Sequence, residues 1–266
     1  VPTLPPSPRK PGSGEEMMND NELDGYKLFF EKVFPGMSDT DILNELWNFA
    51  NTSLHKIEYP EAEEAWKDLK QSIDERSKGI NKRGNTVYVR TFGNKKDRES
   101  EELLRCFYKH VYGIDFIKVD GNNNQKPTAV LHKYTDYSKK DSSSKKKLVN
   151  YQISHIFGKT LNCYAFAAPW NVVYLPKILD PFTGHESKGF FTREFTKKLQ
   201  KMMLENYKDM IVEYNEKMEY TFTDKIKSFK FQKEGLITKF GKDRVEKFFG
   251  EIDKNFSKIE LPKEKS

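Results

Sequence analysis

The sequence has 266 residues, of which 36% are apolar, 14% are aromatic and 32% are charged, with a net charge of +6. This length suits one large domain or two small ones, and the aromatic side chains supply enough apolar area for a core. No run of about 18 apolar residues occurs, which excludes a membrane span. The 2 cysteines are too few for a disulfide framework, so we expect a cytoplasmic protein.

The N-terminal residues are rich in Pro, Gly and Ser and lack the apolar centre of a secretory signal. We therefore expect a disordered tail over residues 1–20. Helical apolar spacing follows in residues 24–34, 38–54 and 61–79, where Ser38 or Asp39 is the expected N-cap of the second helix.

Residues 85–137 have a different pattern. A β-rich run over 85–92, a helix ending at Gly113, and strands over 114–120 and 128–134 predict a small β-α-β-β sheet. Together, residues 21–137 form a helical and small α/β region that could recognise DNA or join subunits. The stretch SKKDSSSKKK (138–147) fits either a solvated surface loop or a mobile arm that contacts phosphate.

Residues 148–220 predict a strand, an irregular loop, a second strand and a long helix. His155 lies at the end of the first strand, Asn171 opens the second strand, and His185 precedes the helix predicted over 190–220. Polar groups at a strand end, a strand start and a helix entry are arranged as in a site rather than a core.

The stretches SHIFGKT, PWNVVYLP and TGHES resemble the HNH family of nucleases, whose ββα-metal core holds one divalent ion between a hairpin and a helix. The resemblance covers under a quarter of the chain. It implies an α+β fold: a ββα-metal (HNH-like) catalytic core with C-terminal helices over residues 148–266, in a mostly helical protein with a small additional sheet.

The resemblance also implies a role for each of these residues. His155 would be the general base that takes a proton from water, since an unperturbed imidazole titrates at about pH 6.5. Asn171 would orient that base across the hairpin loop, and His185 would be a metal ligand. The ion, Mg²⁺ or Mn²⁺, would stabilise the charge that develops on the phosphate and the leaving oxygen.

One position departs from the family pattern. Many members have an acidic metal ligand just before the base, whereas this chain has Ser154, a poor ligand for a hard cation. The missing carboxylate could come from Asp180, which we take as the second metal residue, or from Glu186. Alternatively, His185 acts with a side-chain amide such as that of Asn162.

The predicted function is therefore a divalent-metal-dependent endonuclease that hydrolyses DNA phosphodiester bonds, in the manner of a type II restriction enzyme. Double-stranded DNA is the expected partner, and a homodimer would allow both strands to be cut. Basic side chains near the predicted core are the candidate phosphate contacts: Lys139, Lys140, Lys145, Lys146, Lys147 and Lys159.

Other interpretations remain open. His155 lies between Ile153 and Ile156, a setting that is also typical of a structural histidine at a sheet edge. Gly184 before His185 can be a simple turn residue. The alternative functions are a non-catalytic nucleic-acid-binding protein and a helical interaction protein with structural histidines. The sequence does not decide between DNA and RNA.

Overall fold

The computed structural model describes residues 23–260 except 95–96, 122–123 and 185–186. The chain divides into two compact units, one ending at Ile42 and the other beginning at Leu43. The tail predicted over residues 1–20 lies outside the described residues, and so do His185 and Glu186.

The first two N-terminal helices begin at side-chain caps, and such a cap was predicted for the second. Helix α1 (Gly25–Val33) starts after Asp24, whose carboxylate accepts from the amide of Tyr26 at 2.9 Å. Helix α2 (Asp39–Ser53) starts after Ser38, whose hydroxyl oxygen accepts from the amide of Asp41 at 3.2 Å. Ser38 is therefore the cap of α2. Helix α3 (Glu61–Ser77) follows Pro60 and has an acidic first turn.

The middle of the chain forms a β-α-β-α unit. Strands β1 (Tyr88–Arg90) and β2 (Lys118–Asp120) pair in parallel, and helix α4 (Arg98–Tyr112) connects them. The helix ends at Gly113, which adopts a left-handed conformation (φ 70°) that suits glycine.

The strand predicted over residues 128–134 was wrong, because these residues lie in helix α5 (Gln125–Tyr134). The carboxylate of Asp120 accepts from the amide of Gln125 at 2.5 Å, at the start of this helix. Pro127 sits in the first turn, where a proline is tolerated. Pro127 and Leu131 are the buried positions of α5, and their spacing is that of one helix face.

The lysine-rich stretch is mostly irregular and exposed. Only two very short strands, β3 (Tyr137–Ser138) and β4 (Lys146–Lys147), pair here in parallel within the described residues.

An antiparallel hairpin follows. Strands β5 (Tyr151–His155) and β6 (Val172–Pro176) pair with His155 opposite Val172. Every residue of β6 is buried. A 3-10 helix (Lys177–Thr183) then leads towards helix α6 (Phe190–Asn206). The predicted order of strand, loop, strand and helix is confirmed.

The helix predicted over 190–220 is broken at Tyr207, so that α7 (Lys208–Tyr220) is separate from α6. Tyr207 has a non-helical backbone (φ −131°, ψ 31°), is 1% exposed, and donates from its hydroxyl to the carbonyl of Ile57 at 2.5 Å. Burial of this ring, a tertiary effect, thus overrides the helical pattern of the sequence.

The C-terminal part is helical. A π-helical segment (Thr221–Ile226) leads to helices α8 (Lys227–Phe231), α9 (Lys233–Phe240) and α10 (Lys242–Asn255). Phe107 of α4 contacts the rings of Phe229, Phe248 and Phe256, with centroids 5.3, 5.8 and 5.1 Å away. These aromatic contacts join the last helices to the β-α-β-α unit.

The protein is therefore α+β and mostly helical with small sheets, as predicted. Among the helices of the described residues, none combines the length and the apolar character that a membrane span requires.

Candidate functional site

A polar cavity of about 650 Å³ opens where strand β5 ends. Its wall includes residues from β1, α10, the β5–β6 hairpin and the stretches on either side of the hairpin. The charged or titratable side chains that line it are His155, Arg90, Lys139, Lys159, Lys254, Asp180 and Glu251.

His155 is fixed in the wall of this cavity. It is 5% exposed, and its ring stacks on Phe166 with centroids 5.5 Å apart and planes 10° apart. Its Nε2 lies 2.9 Å from the carbonyl oxygen of Phe166. Because a carbonyl can only accept, Nε2 carries a proton, and the lone pair of the neutral ring is then on Nδ1. This is the tautomer in which Nδ1 is the basic nitrogen.

Asn171 organises the loop that holds His155. It is 0% exposed, and its Oδ1 accepts from the amide of Phe157 at 2.8 Å. Its Nδ2 donates to the carbonyls of Gly158 at 2.8 Å and Ala165 at 2.9 Å. Ala165 directly precedes Phe166, which binds the imidazole. Asn171 therefore fixes the loop that contains Phe166, the residue whose carbonyl binds His155.

The same loop is bound to helix α10. The amide of Leu161 donates to Oδ1 of Asn255 at 2.9 Å, and Nδ2 of Asn162 lies 3.2 Å from the carbonyl of Asn255. Oδ1 of Asn162 accepts from the amide of Tyr164 at 2.9 Å, and Asn162 is fully buried. The side-chain amide of Asn162 is thus used in hydrogen bonds that hold the loop, and Asn162 is not part of the cavity wall.

The six predicted phosphate-contacting lysines are not all at the cavity. Lys139 and Lys159 line it. The ammonium group of Lys159 donates to the carbonyl of Ser257 at 2.7 Å, and burial lowers its pKa to about 8. Lys159 therefore anchors the loop to the end of α10 as well as adding charge.

The other four lie outside the cavity wall. Lys145 donates to the carbonyl of Thr135, and Lys147 pairs with Asp141 at 2.7 Å. Lys140 and Lys146 are exposed.

Asp180 lies in the 3-10 helix and lines the same cavity as His155. The other predicted metal residue, His185, lies outside the described residues. Within the part of the chain that is described, no three His, Cys, Asp or Glu side chains come close enough together to hold a metal ion. Ser154, which stands where the resemblance expects an acidic residue, is 3% exposed, and its hydroxyl has no hydrogen-bond partner among the described residues.

Arg90 was missed by the sequence analysis. It is the last residue of β1, and its amide donates to the carbonyl of Thr160 in the hairpin loop at 2.9 Å. Its guanidinium lies over the ring of Phe166, 5.7 Å from the centroid, and donates to Oδ1 of Asn124. Burial lowers the pKa of Arg90, and the nearby carboxylate of Asp120 opposes that shift. No local motif marks this arginine, because the tertiary fold alone brings β1 to the loop.

Fold and site together define an α+β protein in which a hairpin fixes a histidine in the wall of a cationic, polar cavity. The family model described as "Uncharacterised protein PM1201" matches residues 57–261, and the chain belongs to this family. The matched range contains every residue of the cavity wall.

A relative from Pasteurella multocida (strain Pm70), also named "Uncharacterized protein PM1201", is 39% identical over 240 residues. The similarity covers 90% of this chain and 99% of that protein. No solved structure matches the chain. These names specify no activity, so a functional assignment depends on the site itself.

Proposed function

We propose that this protein is a divalent-metal-dependent endonuclease that hydrolyses DNA phosphodiester bonds, with His155 as the general base. The observation that carries the proposal is the cavity in which a tautomer-fixed histidine, a carboxylate and several cationic side chains meet. A general base and groups that stabilise developing negative charge are what metal-assisted hydrolysis of a phosphodiester uses, and the carboxylate could hold the metal.

His155 would take the proton from the attacking water through Nδ1. Its Nε2–H stays bonded to the carbonyl of Phe166, which orients the ring and stabilises the imidazolium that forms. The stacked ring of Phe166 and the hydrogen bonds of Asn171 prevent the imidazole from rotating. Asn171 is therefore a positioning residue in this proposal and does not touch the substrate.

The positive side chains of the cavity suit a polyanionic substrate. Lys139 and Arg90 line the wall together with His155. Salt-sensitive attraction between such side chains and phosphates supplies much of the affinity of proteins for DNA. We propose double-stranded DNA as the substrate and a restriction-type role, in which a homodimer cuts both strands.

The donor set of the cavity is compatible with a hard divalent ion. Mg²⁺ and Mn²⁺ prefer oxygen ligands, and Mg²⁺ keeps several of its waters. A single carboxylate of the described cavity wall, such as that of Asp180, is therefore enough protein ligand for such an ion. We propose that Asp180 and His185 would hold the ion. When bound, it would stabilise the negative charge on the phosphate and the leaving oxygen.

Plasmid cleavage tests the proposal. Supercoiled DNA is incubated with the protein in Mg²⁺, Mn²⁺ or EDTA, and the nicked and linear products are quantified. We expect cleavage with a metal and none in EDTA. His155→Ala should lower the rate at least about 100-fold, as loss of a general base does.

His155→Gln is the second variant, because its side-chain amide can still donate to the carbonyl of Phe166. The matched control is His132→Ala, since His132 is an exposed histidine on α5 outside the cavity wall. Thermal unfolding of each variant verifies that it is folded.

Absence of cleavage by the wild type on both DNA and RNA would overturn the proposal, as would full activity in folded His155→Gln. Salt-sensitive binding without cleavage would instead indicate a nucleic-acid-binding protein. The absence of both binding and cleavage would indicate an interaction protein.

A further inference from the structure

We propose that the guanidinium of Arg90 binds a backbone phosphate of the substrate beside His155. This inference rests on the proposed function, because it assigns the phosphate-binding residue of the same cavity. It adds strand β1, which has no part in the hairpin or in the resemblance, to the substrate-binding surface.

The first argument is geometric. Arg90 and His155 line one cavity and contact the same ring, that of Phe166. The backbone of Arg90 is also bonded to the loop, because its amide donates to the carbonyl of Thr160. The position of the guanidinium is therefore tied to that of the imidazole through both a side chain and the main chain.

The second argument concerns charge. The side chain of Arg90 donates to the neutral amide of Asn124, and the carboxylate of Asp120 lies close enough to favour the charged guanidinium, although no ion pair joins the two among the described residues. The other arginine that lies over a phenylalanine ring, Arg105 over Phe116, is neutralised by Glu101 at 2.6 Å. The guanidinium of Arg90 is half-buried and is hydrogen-bonded to a neutral amide rather than to a carboxylate, so its N–H groups are less fully neutralised than those of Arg105.

The third argument concerns chemistry. Guanidinium presents several N–H groups in one plane and binds two oxygens of a phosphate at once, which lysine cannot do. Lys139, Lys159 and Lys254 supply charge around the cavity, but the ammonium group of Lys159 is already bonded to main-chain carbonyls and that of Lys254 pairs with Glu251 at 3.3 Å. Arg90 is thus the cationic group of the wall that is best suited to fix a phosphate in one orientation.

Binding measurements test this assignment apart from catalysis. The full chain carrying His155→Gln is titrated in EDTA against a fluorescently labelled DNA duplex, at salt concentrations from about 50 to 200 mM. Adding Arg90→Ala should weaken binding at least about tenfold at low salt. It should also reduce the slope of log K against log salt by about one, the change expected for one lost phosphate contact.

The matched control is Arg105→Ala, which also removes a half-buried arginine from a phenylalanine ring but lies outside the cavity wall. Both its affinity and its salt slope should equal those of the parent. Arg90→Lys should keep the salt slope and lose part of the affinity, because the charge remains while the planar group does not.

A second variant applies if Arg90→Ala does not fold. Asn124→Asp keeps an oxygen for the guanidinium and places a negative charge beside it, so we expect weaker DNA binding. Asn81→Asp is the control, because Asn81 also accepts a hydrogen bond from an arginine, Arg76, at an exposed position away from the cavity.

The outcomes separate the two proposals. If the wild type cleaves DNA but folded Arg90→Ala and Arg105→Ala, both in the His155→Gln background, bind DNA with equal affinity and equal salt slope, the assignment of Arg90 is overturned and the nuclease proposal stands. If the wild type never cleaves but Arg90→Ala weakens binding and lowers the salt slope, the nuclease proposal is overturned and the phosphate-binding role of Arg90 is supported. Equal binding by Asn124→Asp and Asn81→Asp would also overturn the assignment.

Discussion

The two irregular stretches that reach the cavity, residues 138–147 and the hairpin loop 156–171, are built in opposite ways. The lysine-rich stretch is largely exposed and is held by surface contacts, such as the pair between Lys147 and Asp141. The hairpin loop is largely buried, and its main chain is bonded to the side chains of Asn171 and Asn255. Both lack regular secondary structure over most of their length, yet only the second can hold a catalytic group in a fixed place.

This difference shows how a loop becomes rigid without a β-ladder. A buried main-chain group must find a hydrogen-bond partner, and here asparagine side chains supply it. The exposed stretch is solvated by water and has no such requirement. The fixed geometry of the hairpin loop therefore depends on buried amides, whereas under the proposed function the exposed lysines would supply long-range attraction for DNA.

The largest expected effect is on the buried loop, through Asn171→Ala. This change leaves the amide of Phe157 and the carbonyls of Gly158 and Ala165 without their partner. Each unsatisfied buried group costs about 1–3 kcal/mol, so we expect a loss of about 3 kcal/mol or more in the free energy of unfolding. Urea denaturation followed by circular dichroism measures it.

Asn206→Ala is the control for this prediction. Asn206 donates from an exposed position to the carbonyl of Met202, and its loss should change the stability by less than about 0.5 kcal/mol. Similar small losses in the two variants would mean that the amide network does not make the loop rigid, and the contrast between the two stretches would fail.

The sequence predicted those parts of this arrangement that are local in the chain. His155, Asn171 and the order of strand, loop, strand and helix could be read from one continuous stretch, because their spacing follows from adjacent elements. Arg90 and Asn255 could not be found in this way, since β1 and α10 reach the loop only through the tertiary packing. The helical form of α5 was missed because the sequence analysis considered residues 128–134 alone. The carboxylate that accepts from the first amide of the helix belongs to Asp120, which lies outside that range.

A smaller effect is expected from the lysine within the buried loop. Burial lowers the pKa of Lys159 to about 8, whereas a lysine in an unfolded chain titrates near pH 10.4. Between these values the unfolded state binds more protons than the folded state, so the contribution of Lys159 to the free energy of unfolding rises with pH across this window. Below about pH 8 that contribution is constant.

Denaturation of the wild type and Lys159→Gln at pH 7, 8, 9 and 10 measures this dependence. The difference in unfolding free energy, wild type minus variant, should increase from about pH 8 upwards. Subtracting the variant removes the titration of the tyrosines, which acts in the same range. A difference that stays flat or falls with pH would contradict the buried state of this ammonium group.

The smallest effect is expected for Lys147→Gln in the exposed stretch. Its pair with Asp141 is 2.7 Å long, but both side chains are about half exposed or more, and such surface pairs contribute about 0–1 kcal/mol. We expect a stability change below about 0.5 kcal/mol. If instead this variant lost as much stability as Asn171→Ala, the lysine-rich stretch would be a structural element rather than a solvated one. If the lysine-rich stretch attracts DNA as proposed, Lys147→Gln should weaken the salt-dependent affinity for DNA while the stability is unchanged.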